Sequence, residues 1–286
     1  MASTKLLLVA DAVIFRHTLF SLPFALAAVL LESGGRPSPW KLAWIALAVV
    51  AGRNAANAIN RIVDRDIDAA NPRTASRHLP SGRLGVRDLV VFTAAMLALL
   101  VLAAAMLGPV CLVFLWVPAI AVFGYSYTKR FTWLCHYWLG ATCAIATMGS
   151  LIAVSGKVFE LRYFVLSAAV ASWVAGFDII YALQDMKVDR AQGLHSIPER
   201  FGKIWARLVA LGTHGATVLL LASAWFFWKL GPAYLVGVGL AGLLIIAEHI
   251  VALGPTARHI RIAAYGINEI VPMVILAAVL VDLYLL

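Results

Sequence analysis

The sequence predicts an all-α polytopic membrane protein with nine transmembrane helices. Three observations lead there. Of 286 residues, 63% are hydrophobic and only 13% charged. A soluble domain would carry roughly 25% charged residues. Apolar runs of membrane-spanning length recur along the chain. These runs lack the two-residue alternation of an outer-membrane barrel, and in hydrocarbon every backbone group must bond within its own segment, so they are helices.

The first span covers 13–31. Arg16 and His17 interrupt its apolar stretch and no small-residue cleavage site follows, so it is a span and not a signal peptide. The turn "ESGGRPSPW" leads to the second span, 41–60, which ends in a long polar connection. Spans three and four, 88–107 and 109–126, are joined by "LGP". Spans five and six, 136–155 and 162–182, are joined by "SGKVFE". A second long connection leads to spans seven and eight, 205–228 and 231–252, joined by "WKLGP"; the ninth is 263–285. Gly and Pro punctuate the short joints as turns. "GVGLAG" (Gly237 to Gly242) has the spacing of a dinucleotide loop. Inside an apolar span with no preceding strand, it reads as close helix packing.

Sidedness follows from Lys and Arg. The amino terminus and the loops after spans two, four, six and eight hold most of the 23 basic residues. The opposite loops hold Arg36, Lys41, Lys157, Arg162 and Lys229. The expected topology puts the amino terminus and the charged loops in the cytoplasm of a prokaryotic cell, across its inner membrane, and the carboxyl terminus outside. The net charge of +9 is then a topology signal and not a nucleic-acid footprint. Cys111, Cys135 and Cys143 show no paired spacing, so no disulfide or zinc site is expected. They read as small buried hydrophobes.

The connections after spans two and six run to about 27 and 22 residues. Loops of that length tend to be functional. The first begins "NRIVDRDID" and the second "YALQDMKVD". In each, two aspartates are four apart: Asp64 with Asp68, then Asp185 with Asp189. Asn60 and Tyr181 extend the two ladders by one more turn. "HLPSG" and "HSIPERFG" follow, both combining His, Ser and Pro. The likeness predicts a single domain over 1–286 made of two pseudo-repeated halves, about 1–130 and 131–286.

Residues at i and i+4 share a helix face, so two ionised carboxylates there repel unless a cation lies between them. Mg²⁺ takes hard oxygens, keeps several waters, and bridges a few carboxylates to substrate phosphates. Two facing pairs would clamp Mg²⁺ and a diphosphate. Asn60, Asp64, Asp68, Asp185 and Asp189 are the candidate metal-holding and catalytic residues. Lys129, Arg130, Arg65, Arg73 and Arg77 are candidates for the phosphate charge. A solvated helix end explains one such pair well. Two copies on one side of the membrane, where ionisable groups are expensive, favour function. Asp66 falls off the shared face and is not assigned to metal. Arg53, Arg16 and Asn57 are candidates for an acidic co-substrate, although interfacial snorkelling explains an arginine at a span end equally well. Tyr125 and Tyr181 could present π faces to a carbocation. Glu248 and Asp282 are isolated acids, and His78 and His195 have no metal-ligand spacing.

These motifs resemble those of the UbiA superfamily of intramembrane prenyltransferases. The flanks "NPRTASRHLPSGRL" and "DRAQGLHSIPERFG" match it too, and "YSYTKRFTWLCH" (Tyr125 to His136) resembles its third cytoplasmic segment. The likeness covers essentially the whole chain. The form of the second motif resembles the 4-hydroxybenzoate polyprenyltransferase branch. The segment "IFRHTLFSLPFA" departs from that branch's R-x-D-K-P form and is similar to a sister group that includes enzymes prenylating dihydroxynaphthoate. The resemblance implies nine helices around a central cavity capped by cytoplasmic loop helices. It also implies Mg²⁺, a polyprenyl diphosphate donor from the bilayer, and an aromatic acid acceptor, in ubiquinone or menaquinone biosynthesis. A membrane terpene cyclase would use the same clamp without an acceptor. A transporter would place its acids nearer the midplane. The D-G-x-x-A-R opening of a CDP-alcohol phosphotransferase is absent.

Overall fold

The computed structural model describes residues 2–13 and 18–285, and every regular element among them is a helix. In chain order they are α1 (Ala2–Ala12), α2 (Thr18–Glu32), α3 (Pro39–Val63), α4 (Arg65–Ala70), α5 (Val86–Leu107), α6 (Pro109–Val113) and α7 (Trp116–Thr128). Then come α8 (Cys135–Ser155), α9 (Leu161–Ala182), α10 (Met186–Ala191), α11 (Ile197–Trp228), α12 (Pro232–Val251), α13 (Ala257–Arg261), a π-helix (Ile262–Ile267) and α14 (Val271–Tyr284).

Among the described residues, eight helical stretches are long and apolar enough to cross a membrane. They correspond to expected spans two to nine. The first expected span appears as a shorter apolar helix, Ser21–Glu32, and part of its start lies outside the described residues. Local chemistry sets the ends. Prolines open α3, α6 and α12, where a missing N–H costs nothing. Gly156, at φ 74°, closes α8 in the left-handed conformation that a side chain resists. The Ser196 hydroxyl caps α11 by accepting from the Glu199 amide at 3.2 Å. Gly202, at φ 80°, then separates a short entry segment of α11 from the span proper. The fourth span is broken at Phe114 and Leu115 into α6 and α7, and the ninth carries the π-helix near its start.

Neighbour contacts close a circuit: α2 meets α3, α3 meets α5, α5 meets α6, α7 meets α8, α8 meets α9, α9 meets α11, α11 meets α12, α12 meets α14, and α14 returns to α2. Helices in lipid gain little from hydrophobicity alone, so small residues set the closest approaches. A methyl on Gly140 of α8 would run into the Ala171 carbonyl of α9, and one on Gly237 of α12 into the Ala278 side chain of α14. Gly237 therefore plays the packing part expected of "GVGLAG". At one end the ring is filled by apolar side chains, among them Leu31, Leu151, Tyr163, Leu230 and Tyr234. That end is further pinned by Glu32, which accepts from Arg162 (2.8 Å), Tyr163 (2.6 Å) and Trp228 (3.2 Å). Asp282 caps α12, accepting from the Gly231 and Tyr234 amides. The opposite end carries both aspartate motifs.

Candidate active site

Both motifs have one construction. A span ends, an aspartate sits at the junction, and a six-residue helix follows. α3 gives way at Asp64 to α4, and α9 gives way near Asp185 to α10. The junction lets the chain turn while keeping the i and i+4 carboxylates close together.

Asp64 is buried. Its Oδ2 accepts from Asn60 Nδ2 at 2.8 Å and lies 2.6 Å from Lys129 Nζ. Its Oδ1 is 3.2 Å from an Arg130 guanidinium nitrogen, yet no donor points at it with hydrogen-bond geometry. Asp68, also buried, takes both oxygens to Arg77 Nη1 at 2.7 Å, with Arg61 at 3.7 Å. Asp185 is held by the loop that follows the first motif: Arg73 donates to both its oxygens at 3.0 and 2.6 Å, and Asn71 donates at 3.1 Å. Arg73 also donates to the Tyr181 hydroxyl at 2.8 Å and sits over that ring. Burial works against the Arg73 charge, but the Asp185 hydrogen bonds and the nearby Tyr181, Asp185 and Tyr265 together outweigh it and hold the guanidinium above its ordinary pKa. Asp189 accepts from Ser196 at 2.9 Å and has no basic partner within ion-pair distance among the described residues. Burial pushes its carboxyl up to about 6, against the Ser196 bond and with the help of nearby Asp185.

The third segment links the motifs. Arg130 donates to the Val63 carbonyl at the end of α3, and the Lys129 carbonyl accepts from the His195 amide at 2.7 Å. Lys129 is thereby set between the two loops. Two expected residues lie elsewhere. Arg65 follows Asp64 directly, so it is turned away from the shared face and pairs at the exposed surface with Asp66 (3.0 Å). The Asn57 amide donates to the Val13 carbonyl at 2.9 Å and so ties α1 to α3. Arg16 lies outside the described residues.

Arg53 sits two turns before Asn60 on the same face of α3, about 10 Å deeper along the helix. It is half-buried, and the surface it keeps lines a largely apolar cavity of about 910 Å³. It donates to Cys143 Sγ at 2.8 Å, while its buried Nε has no partner among the described residues. Tyr125 and Tyr265 lie within electrostatic range of it. Tyr265 comes from the π-helix and meets the Tyr181 ring at 4.9 Å, edge to face. Cys143 is buried, and no disulfide forms among the three cysteines.

The sequence reading missed Asp178, Tyr265 and Asn71. Asp178 had a signal: a carboxylate inside span six, three residues before Tyr181 and seven before Asp185, hence on their face. Tyr265 had none, because only the ninth span's return to the ring brings it to Tyr181. Glu248 is not isolated. It is fully buried, with Oε2 3.8 Å from His214 Nδ1, and His214 meets His249 at 2.9 Å.

The donor set fits Mg²⁺. Among the described residues no three acids, histidines or cysteines cluster as a metal cage. The orphaned Asp64 Oδ1 and the paired carboxylates offer one or two hard oxygens per ion. That leaves positions for water and phosphate, as Mg²⁺ prefers.

A ring of membrane helices with paired aspartates and basic partners at one end suits a membrane enzyme that handles a diphosphate. The chain belongs to the UbiA prenyltransferase family, whose model matches residues 21–269. It is similar to the apo structure of a UbiA homolog from Aeropyrum pernix K1, with a TM-score of 0.86, 34% identity, and coverage of 94% of this chain and 98% of that one. Among curated proteins it is 31% identical over 208 residues to the 4-hydroxybenzoate octaprenyltransferase of Shewanella sediminis, covering 73% of this chain and 72% of the relative. It is 28% identical over 257 residues to the enzyme of that name from Dechloromonas aromatica, covering 89% and 86%. A UbiA homolog from Archaeoglobus fulgidus bound to GPP and Mg²⁺ shares the fold, with a TM-score of 0.68 at 19% identity and coverage of 98% and 99%.

Proposed function

We propose that the protein transfers a polyprenyl group from polyprenyl diphosphate to a ring carbon of an aromatic acid, 4-hydroxybenzoate first, in quinone biosynthesis. The observation that carries this reading is Arg53. A half-buried guanidinium with a sulfur partner and a bare, buried Nε, facing an apolar cavity, suits a carboxylate on a flat hydrophobic ring. The names of the curated relatives support the same acceptor. Dihydroxynaphthoate, in a menaquinone route, is the second reading, favoured by the departure in the first span.

The carboxylates of Asp64, Asp68, Asp185 and Asp189, with Asn60, would hold Mg²⁺, which supplies charge to the leaving diphosphate. Lys129, Arg73, Arg77 and Arg130 exchange their aspartate partners for phosphate oxygens as the donor binds. Leaving-group charge is thereby stabilised while the allylic C–O bond breaks. Tyr125 and Tyr181 turn aromatic surface towards the resulting cation. The apolar cavity keeps water from it. Trp116, Phe123 and Phe164 line the cavity and are exposed on the outer surface of the ring, so the long tail can lie along them into lipid. The charged loops face the cytoplasm in this reading, and the two halves, 1–130 and 131–286, each supply one aspartate jaw.

The test is direct. The purified protein in nanodiscs is given Mg²⁺, donors of several lengths, and 4-hydroxybenzoate or dihydroxynaphthoate in parallel. Mass spectrometry should show a prenylated aromatic acid. A cyclic hydrocarbon from donor alone would make the protein a terpene cyclase instead.

A further inference from the structure

Asp178 stands apart from the four motif aspartates. It lies in α9, one turn inside the span's cytoplasmic end. Its Oδ2 is 2.7 Å from His136 Nδ1. His136 Nε2 accepts from the Ile197 amide at 3.3 Å. A backbone N–H can only donate, so Nε2 takes the accepting part and Nδ1 donates to Asp178. The histidine thereby orients the carboxylate. No lysine or arginine pairs with Asp178 among the described residues, whereas Asp64, Asp68 and Asp185 each have such a partner.

Orienting His136 occupies one oxygen. The other end of the carboxylate remains open: the Asp178 side chain is 25% exposed where His136 is 3% exposed. Asp178 lies within electrostatic range of Tyr125 and Tyr265, the two tyrosines that also flank Arg53. Asp178 lies three residues before Tyr181 and seven before Asp185, on their face of α9, so the open oxygen is turned towards the end of the ring that carries the aspartate motifs. An acid at that depth without a lysine or arginine partner calls for a role.

We infer that Asp178 is the catalytic base that removes the ring proton of the aromatic acceptor, held in place by His136 as a positioning residue. The inference rests on the prenyl-transfer reading above. As the allylic carbon bonds to the ring, the C–O electron pair leaves with diphosphate. The ring C–H pair then restores aromaticity, and the proton passes to Asp178 Oδ1 and on to water or diphosphate. No oxidant or reductant is involved.

The experiment compares unlabelled acceptor with acceptor deuterated at the alkylated ring position, in wild type, Asp178→Asn, Asp178→Glu and His136→Leu. Binding of donor and Mg²⁺ is measured alongside, to show that each variant is folded. In wild type, ionisation of the donor limits the rate and the ring isotope effect stays near unity. In Asp178→Asn, kcat should fall on the order of 100-fold or more, with a primary ring isotope effect and unchanged donor and Mg²⁺ affinity. His136→Leu should show the same isotope signature with a smaller loss. Asp178→Glu should recover part of the rate, and it carries the test if the asparagine variant does not fold. Turnover of Asp178→Asn within threefold of wild type, or a loss without an isotope effect, overturns the inference. So does a wild-type product formed with loss of CO₂ rather than a ring proton. Absence of any prenylated aromatic from wild type overturns the prenyl-transfer reading itself, and this inference with it.

Discussion

Single residues divide the labour at the polar end of the ring. Asp64 and Asp185 sit at the junctions where a span gives way to a short helix, each tied to a cation from elsewhere in the chain. Replacing either with Ala should lower prenyl transfer by roughly 10²–10³-fold, the usual cost of losing one stabiliser of transition-state charge. Assays in Mg²⁺ on protein of unchanged thermal stability check this; near-normal rates would remove the clamp. Arg53→Met should act on the other substrate. Loss of a charge-assisted hydrogen bond of about 1.5–3 kcal/mol should raise the acceptor KM about 10- to 150-fold and leave the donor KM alone. Asp189 gives a pH dependence. Its carboxyl is pushed up to about 6, chiefly by burial. The folded chain therefore holds this proton more tightly than the unfolded one, and ionising the group works against folding as pH rises from its ordinary range through 6. Below about pH 6 the proton competes with metal, so half-activating Mg²⁺ should rise by up to about tenfold per pH unit. Mg²⁺ titrations of activity show it. Asp189→Asn should flatten that dependence, and an unchanged profile would take Asp189 out of the metal site.

At the scale of elements, glycines and caps decide where helices can go. Gly140 lets α8 and α9 touch backbone to backbone, and Gly237 lets the α12 backbone rest on the Ala278 side chain of α14. Gly140→Val has no room to relax, because the obstacle is the Ala171 carbonyl. It should lower thermal stability in detergent by at least the 1–3 kcal/mol typical of overpacking. Gly149→Ala on the same helix meets nothing and serves as the control. The spans, their Gly and Pro joints and the paired short helices were legible in "NRIVDRDID" and "YALQDMKVD", because hydropathy and i, i+4 spacing are local. The break of the fourth span at Phe114 and the π-helix before Asn268 were not. They answer to neighbouring helices, and no residue type announces them.

For the whole molecule, the ring is plugged at one end by apolar side chains and left polar at the other. In the proposed reaction this arrangement would keep a water-sensitive cation inside protein, next to lipid where a long tail can lie. The reading of sidedness predicts that a cysteine placed in the 71–84 loop is labelled from the cytoplasm. One placed after Tyr284 should be labelled from outside. The reverse pattern would overturn the topology.

The sequence alone determined the class of the molecule, because membrane helices need only length and apolarity, and the family motif needs only a run of neighbours. It also named four aspartates, since their spacing puts each pair on one face. Partnership was decided only by tertiary structure. Asp185 is held by Arg73 from the loop after the second span, Asn57 and Arg65 are drawn to other partners, and Tyr265 is brought to Tyr181 from a different span. Such pairings are set by which helix packs on which across the ring, and that information is not carried by any one stretch of chain.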